Sequence, residues 1–140
     1  MIFWDTSALV RCYAEREVGH DRAKSFLTSR ERMSGSVLLL PEVSGALSRF
    51  AGADRALAAK LLRKFREDLA AFELLPTDIA QVELAARFAG ERRLRGADAV
   101  HLAGAFLLAR EFRRGFRFVT SDVDQATAAR SEKLRVILVN

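Results

Sequence analysis

Five acidic residues stand at the ends or beginnings of apolar segments, where they could support phosphate chemistry. Asp5 follows the tripeptide IFW, Glu42 lies two residues beyond the run SVLLL, and Asp122 follows the run FRFVT. Asp98 begins the segment GADAVHLA, and Asp124 lies two residues beyond Asp122. Carboxylates that converge raise one another's pKa unless a cation neutralises them. Hard ions such as Mg²⁺ and Mn²⁺ prefer carboxylate and water oxygens, so these residues favour a metal site that handles phosphate.

Zinc chemistry is not indicated, because the chain has two histidines and one cysteine and lacks a cluster of zinc spacing. A simpler interpretation of the acids is helix capping, which contributes about 0.3 to 1 kcal/mol per residue. Taken singly, Asp98 and Asp122 are more often caps, and Glu42 could be an ordinary acid of a first helical turn. Asp5 is harder to explain in this way, since Thr6 or Ser7 could cap the following helix in its place.

The elements that must position these acids alternate between apolar runs and helical patterns. We predict strands over residues 2–4, 36–40, 72–75, 116–120 and 135–139. We predict helices over residues 7–15, 18–32, from Pro41 onward, 54–71, from Thr77 or Asp78 to 93, 96–111 and 122–131. Such alternation predicts one α/β domain over residues 1–140, a three-layer α/β/α sandwich around a five-stranded parallel sheet.

The predicted sheet indicates where the acids should lie, because ligands of such folds bind at the carboxyl ends of the strands. Asp5, Glu42 and Asp122 would therefore stand on one edge. Asp98 is not preceded by a convincing strand, so the pattern alone does not place it.

The composition agrees with an ordinary globular domain, with 50% hydrophobic and 29% charged residues in a chain of 140. No apolar run approaches the roughly 18 residues that cross a bilayer, and the opening MIFWD lacks the features of a secretory signal. We therefore expect a cytoplasmic protein with no membrane partner. The net charge of +5 favours attraction to polyanions.

Four segments each contain at least one of these acids, namely DTSAL from Asp5, PEVSGALSR from Pro41, LRGADAVHLAGA from Leu94 and VTSDVD from Val119. Together they resemble PIN-domain ribonucleases, most closely the VapC-type toxins of bacterial and archaeal toxin-antitoxin pairs. The resemblance implies that Asp5, Glu42, Asp98 and Asp122 are both the catalytic residues and the ligands of Mg²⁺ or Mn²⁺. It also implies metal-assisted hydrolysis of RNA phosphodiester bonds, a cognate antitoxin and a homodimer.

The side chains near these four acids give weaker indications of a functional role. The resemblance implies that Thr6 and Thr120 orient carboxylates or a metal-bound water, and it leaves the role of Asp124 open. His101 shares a helix face with Asp98, but on an apolar helix a hydrogen-bonded core or rim histidine is the favoured interpretation.

Two surfaces are candidates for binding partners. Arg92, Arg93 and Arg95 lie just before the GAD motif and are better placed to hold phosphate than the cluster on the long helix, Lys60, Arg63, Lys64 and Arg66. An antitoxin segment could bind on the first helices, at Leu9, Tyr13, Phe26 and Leu27, although core packing explains most of these residues.

Two rival functions belong to other classes. A PIN-like module that binds RNA or a protein without cutting is disfavoured, because a binding domain has no need of four mutually repelling acids. A doubly wound phosphatase or nucleotide binder is disfavoured because neither GxGxxG nor GxxxxGK[ST] occurs.

Overall fold

The structure, a computed structural model, describes residues 1–112 and 115–140. Five strands form one parallel sheet in the order β3-β2-β1-β4-β5. The strands are β1 (Ile2–Trp4), β2 (Met33–Ser36), β3 (Phe72–Leu75), β4 (Arg117–Thr120) and β5 (Val136–Leu138). The helices of the described ranges are α1 (Thr6–Arg11), α2 (His20–Leu27), α3 (Leu39–Ala51), α4 (Arg55–Leu69), α5 (Ile79–Arg92), α6 (Gly96–Glu111) and α7 (Val123–Ser131).

Helices cover both faces of this sheet, and the alternation of side chains along β1 shows how. Ile2 and Trp4 pack into a core with residues of α1 to α4, such as Leu9 and Phe65. Phe3 points to the opposite face and packs into a second core with residues of α5, α6 and α7. All three strand residues are fully buried, as expected for a parallel sheet covered on both faces. The predicted three-layer sandwich with five parallel strands is confirmed.

The central strand β1 is the point where the strand order reverses. Trp4 lies opposite Gly35 of β2 on one side and opposite Val119 of β4 on the other. Beyond the strand, the backbone N–H of Asp5 still donates to the carbonyl of Val119 at 2.9 Å. In open parallel sheets, a ligand crevice forms outside the carboxyl ends of the two strands at such a reversal. Here those ends belong to β1 and β4.

The second strand lies earlier than predicted, and the prediction of residues 36–40 is wrong. The strand is MSGS, and the following leucines belong to the helix, where Leu39, Val43 and Leu47 are buried at helical spacing. A short apolar run does not distinguish a strand from a buried helix, and here it crosses the junction between them. Pro41 consequently occupies the third position of α3 rather than the first. Glu42 still lies in the first turn of that helix.

Other boundaries differ by smaller amounts. Helix α1 ends at Arg11 instead of residue 15, and α2 spans eight residues instead of the predicted 18–32. Gly19 precedes α2 with a φ of 89°, a left-handed conformation that glycine adopts readily. Helix α6 has the predicted bounds. Among the described residues, no helix is both long enough and apolar enough to cross a membrane.

Candidate functional site

Asp5 stands at the carboxyl end of β1 with one oxygen engaged and the other open. It is the N-cap of α1, and its Oδ2 accepts hydrogen bonds from the backbone N–H of Ser7 at 3.1 Å and from the Ser7 hydroxyl at 2.5 Å. The hydroxyl of Thr120 lies 3.0 Å from the same oxygen. Oδ1 is buried without a hydrogen-bond partner in the described ranges, and the residue is only 1% exposed. Asp5 itself therefore caps the helix, and the expectation that Thr6 or Ser7 could take that role is wrong.

A buried glutamine joins the acidic segment that follows β4 to the first turn of α6. Oε1 of Gln125 lies 3.0 Å from the Thr120 hydroxyl, and its Nε2 donates to the backbone carbonyl of Asp98 at 3.0 Å. The same hydroxyl accepts the backbone N–H of Asp122 at 3.0 Å. Because these contacts cross three elements, they fix Asp98 and Asp122 relative to Asp5.

The sequence motifs assign no role to Gln125 and give Ser7 only that of a possible helix cap. A signal for Gln125 exists, since an Asp followed three residues later by Gln is a typical start of a helix. Asp122 indeed caps α7 through Oδ1, which accepts the backbone N–H of Gln125 at 2.8 Å. The glutamine side chain, however, turns to Thr120 and Asp98, which the pattern does not indicate.

Glu42 is held by donors from two other helices. The Thr6 hydroxyl donates to Oε2 of Glu42 at 2.6 Å, and Nε2 of His101 lies 2.7 Å from the same oxygen. Burial by itself would raise the pKa of Glu42, but the hydrogen bonds from His101 and Thr6 outweigh it, so that the pKa is lowered. The prediction of His101 as a hydrogen-bonded core histidine agrees with this arrangement.

Asp98 is the acid whose ionisation is most disfavoured. Burial and the nearby charges of Asp5, Asp122 and Glu42 raise its pKa to about 6 from an ordinary value of 3.8, against a smaller opposing effect of His101. Asp5, Asp122 and Glu42 are thus close enough to Asp98 to act on it electrostatically. Added positive charge at this edge would relieve the repulsion.

The carboxylate oxygens of these acids are the kind of ligand that a hard divalent cation prefers, although the acids do not form a preassembled cluster. Within residues 1–112 and 115–140, no three His, Cys, Asp or Glu side chains form a group able to hold a metal ion. Mg²⁺ usually needs only one or two carboxylates, because it keeps several waters. The buried Oδ1 of Asp5, which has no hydrogen-bond partner in the described ranges, is a candidate ligand atom, and the repulsion at Asp98 favours a cation nearby.

Asp124 is exposed and lies apart from this hydrogen-bonded group. It lines a shallow cavity of about 380 Å³ together with Arg92, Arg93 and residues of α7. Arg92 is engaged in an ion pair, since its Nη2 lies 2.7 Å from Oε1 of Glu132. Arg93 ends α5 in the left-handed region with a φ of 55°, and no described acid lies within ion-pair distance of it.

A second, larger cavity of about 630 Å³ lies between the first four helices. Tyr13 and Leu27, both named as candidate antitoxin contacts, line it, whereas Leu9 is fully buried in the core. Its remaining apolar wall is formed by Phe50, Leu57 and Leu61, and its cationic rim by Arg16, Lys24, Lys60 and Lys64. The acids of the lining are Glu15 and Asp68, so cations are in excess.

Comparisons with known proteins agree on the fold. A family model described as PIN domain matches residues 2–131. No curated protein matches the chain. A crystal structure of a protein from Pyrobaculum aerophilum is similar with a TM-score of 0.68 at 23% sequence identity, over 96% of this chain and 81% of that chain.

Two further solved structures are similar over nearly their whole length. A toxin-antitoxin complex from Klebsiella pneumoniae gives a TM-score of 0.69 at 17% identity, over 100% of this chain and 98% of that chain. VapBC2 from Rickettsia felis, bound to a DNA fragment from its promoter, gives 0.67 at 14% identity, over 100% of both chains. At such low identities the likeness is one of fold.

Proposed function

The chain belongs to the PIN-domain family, and from that membership we propose that it is a Mg²⁺- or Mn²⁺-dependent endoribonuclease, the toxin of a VapBC-type toxin-antitoxin pair. The observation that carries the proposal is the electrostatic coupling at one edge of the sheet. Asp98 has a pKa near 6 because it is partly buried beside Asp5, Asp122 and Glu42. Such repulsion disfavours the folded state at neutral pH, so a function that requires it is the simplest reason for its presence.

In this proposal Asp5, Glu42, Asp98 and Asp122 hold the cation, which would supply an activated water and stabilise charge on the phosphate. Three of these acids each use one oxygen within the protein. Asp5 uses Oδ2, Glu42 uses Oε2 and Asp122 uses Oδ1. The second oxygen of each remains available as a ligand. Ser7 and Thr120 hold the Asp5 carboxylate in a fixed orientation, so this one carboxylate would lose little freedom on binding.

The RNA backbone would be bound by arginines beside this edge. Arg93 lines the shallow cavity together with Asp124, and no acid of the described residues lies within ion-pair distance of it. Arg95 precedes α6 and is exposed, whereas Arg92 is engaged with Glu132. We therefore assign phosphate binding to Arg93 and Arg95 within the predicted trio. A net charge of +5 would assist the approach of RNA.

An antitoxin would bind in the cavity between the first four helices. The apolar wall and the cationic rim of that cavity suit a segment that carries both apolar and acidic side chains. The similar complexes from Klebsiella pneumoniae and Rickettsia felis support a partner of this kind. We also propose a cytoplasmic homodimer, which light scattering of the purified protein would test.

The proposal is tested by incubating purified protein with total RNA, with Mg²⁺ or with excess chelator. We expect cleavage only with the metal, with 5′-phosphate and 3′-hydroxyl ends, and loss of cleavage in Asp5→Asn at unchanged circular dichroism. Asp21→Asn, at an exposed aspartate of α2, is the matched control and should cut normally. Cleavage by Asp5→Asn at the wild-type rate would overturn the assignment.

The alternative is a PIN-like module that binds RNA or a protein without cutting. One observation favours it, namely that the described residues lack a preassembled group of three metal ligands. The same incubation separates the two functions. RNA that binds the wild-type protein and stays intact with either Mg²⁺ or Mn²⁺ would support the module.

A further inference from the structure

We infer that His101 is a positioning residue for Glu42, which together with Thr6 holds one carboxylate oxygen and leaves the other free for the proposed centre. The inference rests on the proposed function, because it assigns a role within the same site. It concerns a residue that touches neither RNA nor metal and acts only through Glu42.

The location of the proton follows from the partners of the imidazole. Oε2 of Glu42 is an acceptor, so the proton of the 2.7 Å contact belongs to Nε2 of His101. The Thr6 hydroxyl gives its own proton to the same oxygen at 2.6 Å. The 3.1 Å separation between Thr6 and His101 is therefore a contact between two donors to one acceptor. Oε2 thus receives hydrogen bonds from α1 and from α6, while the glutamate itself comes from α3.

The burial of His101 leaves one of its two ring nitrogens without a hydrogen-bond partner among the described residues. His101 is completely inaccessible to solvent, and its Nδ1 has no hydrogen-bond partner in the described part of the chain. An unpaired buried polar atom destabilises the folded state, whereas an apolar side chain on this Ala- and Leu-rich helix would avoid that cost. Packing alone therefore does not explain a histidine here. The hydrogen bond to Glu42 is what distinguishes it from leucine.

The consequence is a fixed glutamate. The Glu42 side chain is 30% exposed and would otherwise exchange between several rotamers. His101 also lies one helical turn beyond Asp98 on α6, so the same contact sets the spacing between the helices that carry two of the four acids. Residues that orient metal ligands in this way typically change metal affinity or activity by about 10- to 100-fold when they are replaced.

The test compares His101→Leu, which removes the donor, with His101→Gln, whose amide N–H can reach the position of Nε2. We expect His101→Leu to weaken Mn²⁺ binding at least about tenfold in a calorimetric titration and to lower kcat for RNA with little change in KM. His101→Gln should recover most of both. His20→Leu is the matched control, because His20 is also buried but is hydrogen-bonded to the carbonyl of Arg11 and, within the described residues, to none of the four acids. It should leave Mn²⁺ affinity unchanged.

Thr6→Val provides a second variant in case His101→Leu does not fold, since it removes the other donor from a half-buried position. We expect it to weaken Mn²⁺ binding in the same direction. Folded His101→Leu or Thr6→Val proteins with wild-type Mn²⁺ affinity would overturn this inference without overturning the proposed function, provided that the wild type binds Mn²⁺ and cuts RNA. Wild-type protein that does neither would overturn the proposed function, and the inference with it.

Discussion

The hydroxyl of Thr120 lies 3.0 Å from Oδ2 of Asp5, although 115 positions separate the two residues in the chain. The contact joins the carboxyl ends of β4 and β1, which are neighbours where the strand order reverses. The same hydroxyl accepts the backbone N–H of Asp122 and lies beside Oε1 of Gln125. One buried side chain therefore positions two of the four acids.

Thr120→Val should lower both stability and activity. Valine keeps the volume but leaves the backbone N–H of Asp122 and the amide of Gln125 without their partner, in a site where Thr120 is fully buried. We expect the free energy of unfolding to fall by about 1 to 3 kcal/mol in urea titrations, and cleavage to fall as Asp5 loses its orientation.

Thr127→Val is the matched control on α7. Its hydroxyl is exposed and donates only within its own helix, to the carbonyl of Val123. Thr127→Val should change the free energy of unfolding by no more than about 0.5 kcal/mol, as ordinary surface substitutions do. An equal loss of stability in the two valine variants would show that the Thr120 network is not special.

Asp98→Asn should stabilise the metal-free protein at neutral pH. Burial and the neighbouring acids raise the pKa of Asp98 from 3.8 to about 6 in the folded state. The stability contributed by this group is therefore fully present below pH 3.8 and is lost as the pH rises through about 6. Asparagine avoids that loss, and we expect a gain of about 1 kcal/mol at pH 7.5 for a half-buried side chain after allowance for solvent screening.

The measurement is urea unfolding of wild type and Asp98→Asn in excess chelator between pH 3.5 and 8. The difference in the free energy of unfolding between the two proteins should be absent near pH 3.5 and should grow through pH 6. A difference that is constant with pH, or an asparagine variant that is less stable at pH 7.5, would contradict the coupling among the four acids. The same variant should cut RNA poorly, because it removes a proposed ligand.

Arg93→Ala should weaken RNA binding without affecting the fold. A single phosphate contact contributes about 0.7 to the slope of log K against log salt concentration for single strands, so the slope should fall by about this amount. Arg63→Ala on α4, the alternative basic surface, should leave the slope unchanged. Filter binding of a short RNA would measure the slope for both arginine variants, each made in an Asp5→Asn protein that does not cleave RNA. A larger effect of Arg63→Ala would indicate that RNA binds on α4.

The sequence predicts the architecture well because the apolar runs and the acids agree with each other. Burial on both faces explains why a strand such as IFW is visible, and Gly96–Glu111 has a helical pattern over its whole length. The second strand is missed because its small residues, MSGS, do not look apolar, while the adjacent leucines do. The close approach of Leu39 explains the glycine at position 35, since a Cβ there would lie 2.2 Å from Cδ1 of Leu39.

The candidate site is only partly predictable from the sequence. Asp5, Glu42 and Asp122 follow from the rule that functional groups stand at the carboxyl ends of parallel strands. Asp98 needs the resemblance, because a helix rather than a strand presents it. The contacts of Gln125 and His101 depend on which helices pack together, and local patterns carry no information about pairs such as Glu42 and His101, 59 residues apart.

The most direct test of the central proposal is a titration of Mn²⁺ into wild-type protein and into Asp5→Asn, Glu42→Gln and Asp98→Asn, followed by electron paramagnetic resonance. Glu83→Gln, at an exposed acid of α5, serves as the control. If the four carboxylates form one metal centre, the wild type and the control bind Mn²⁺ alike, and each of the three site variants binds it at least about tenfold more weakly. Site variants that bind Mn²⁺ as tightly as the wild type, or a wild type that binds none, would contradict the account.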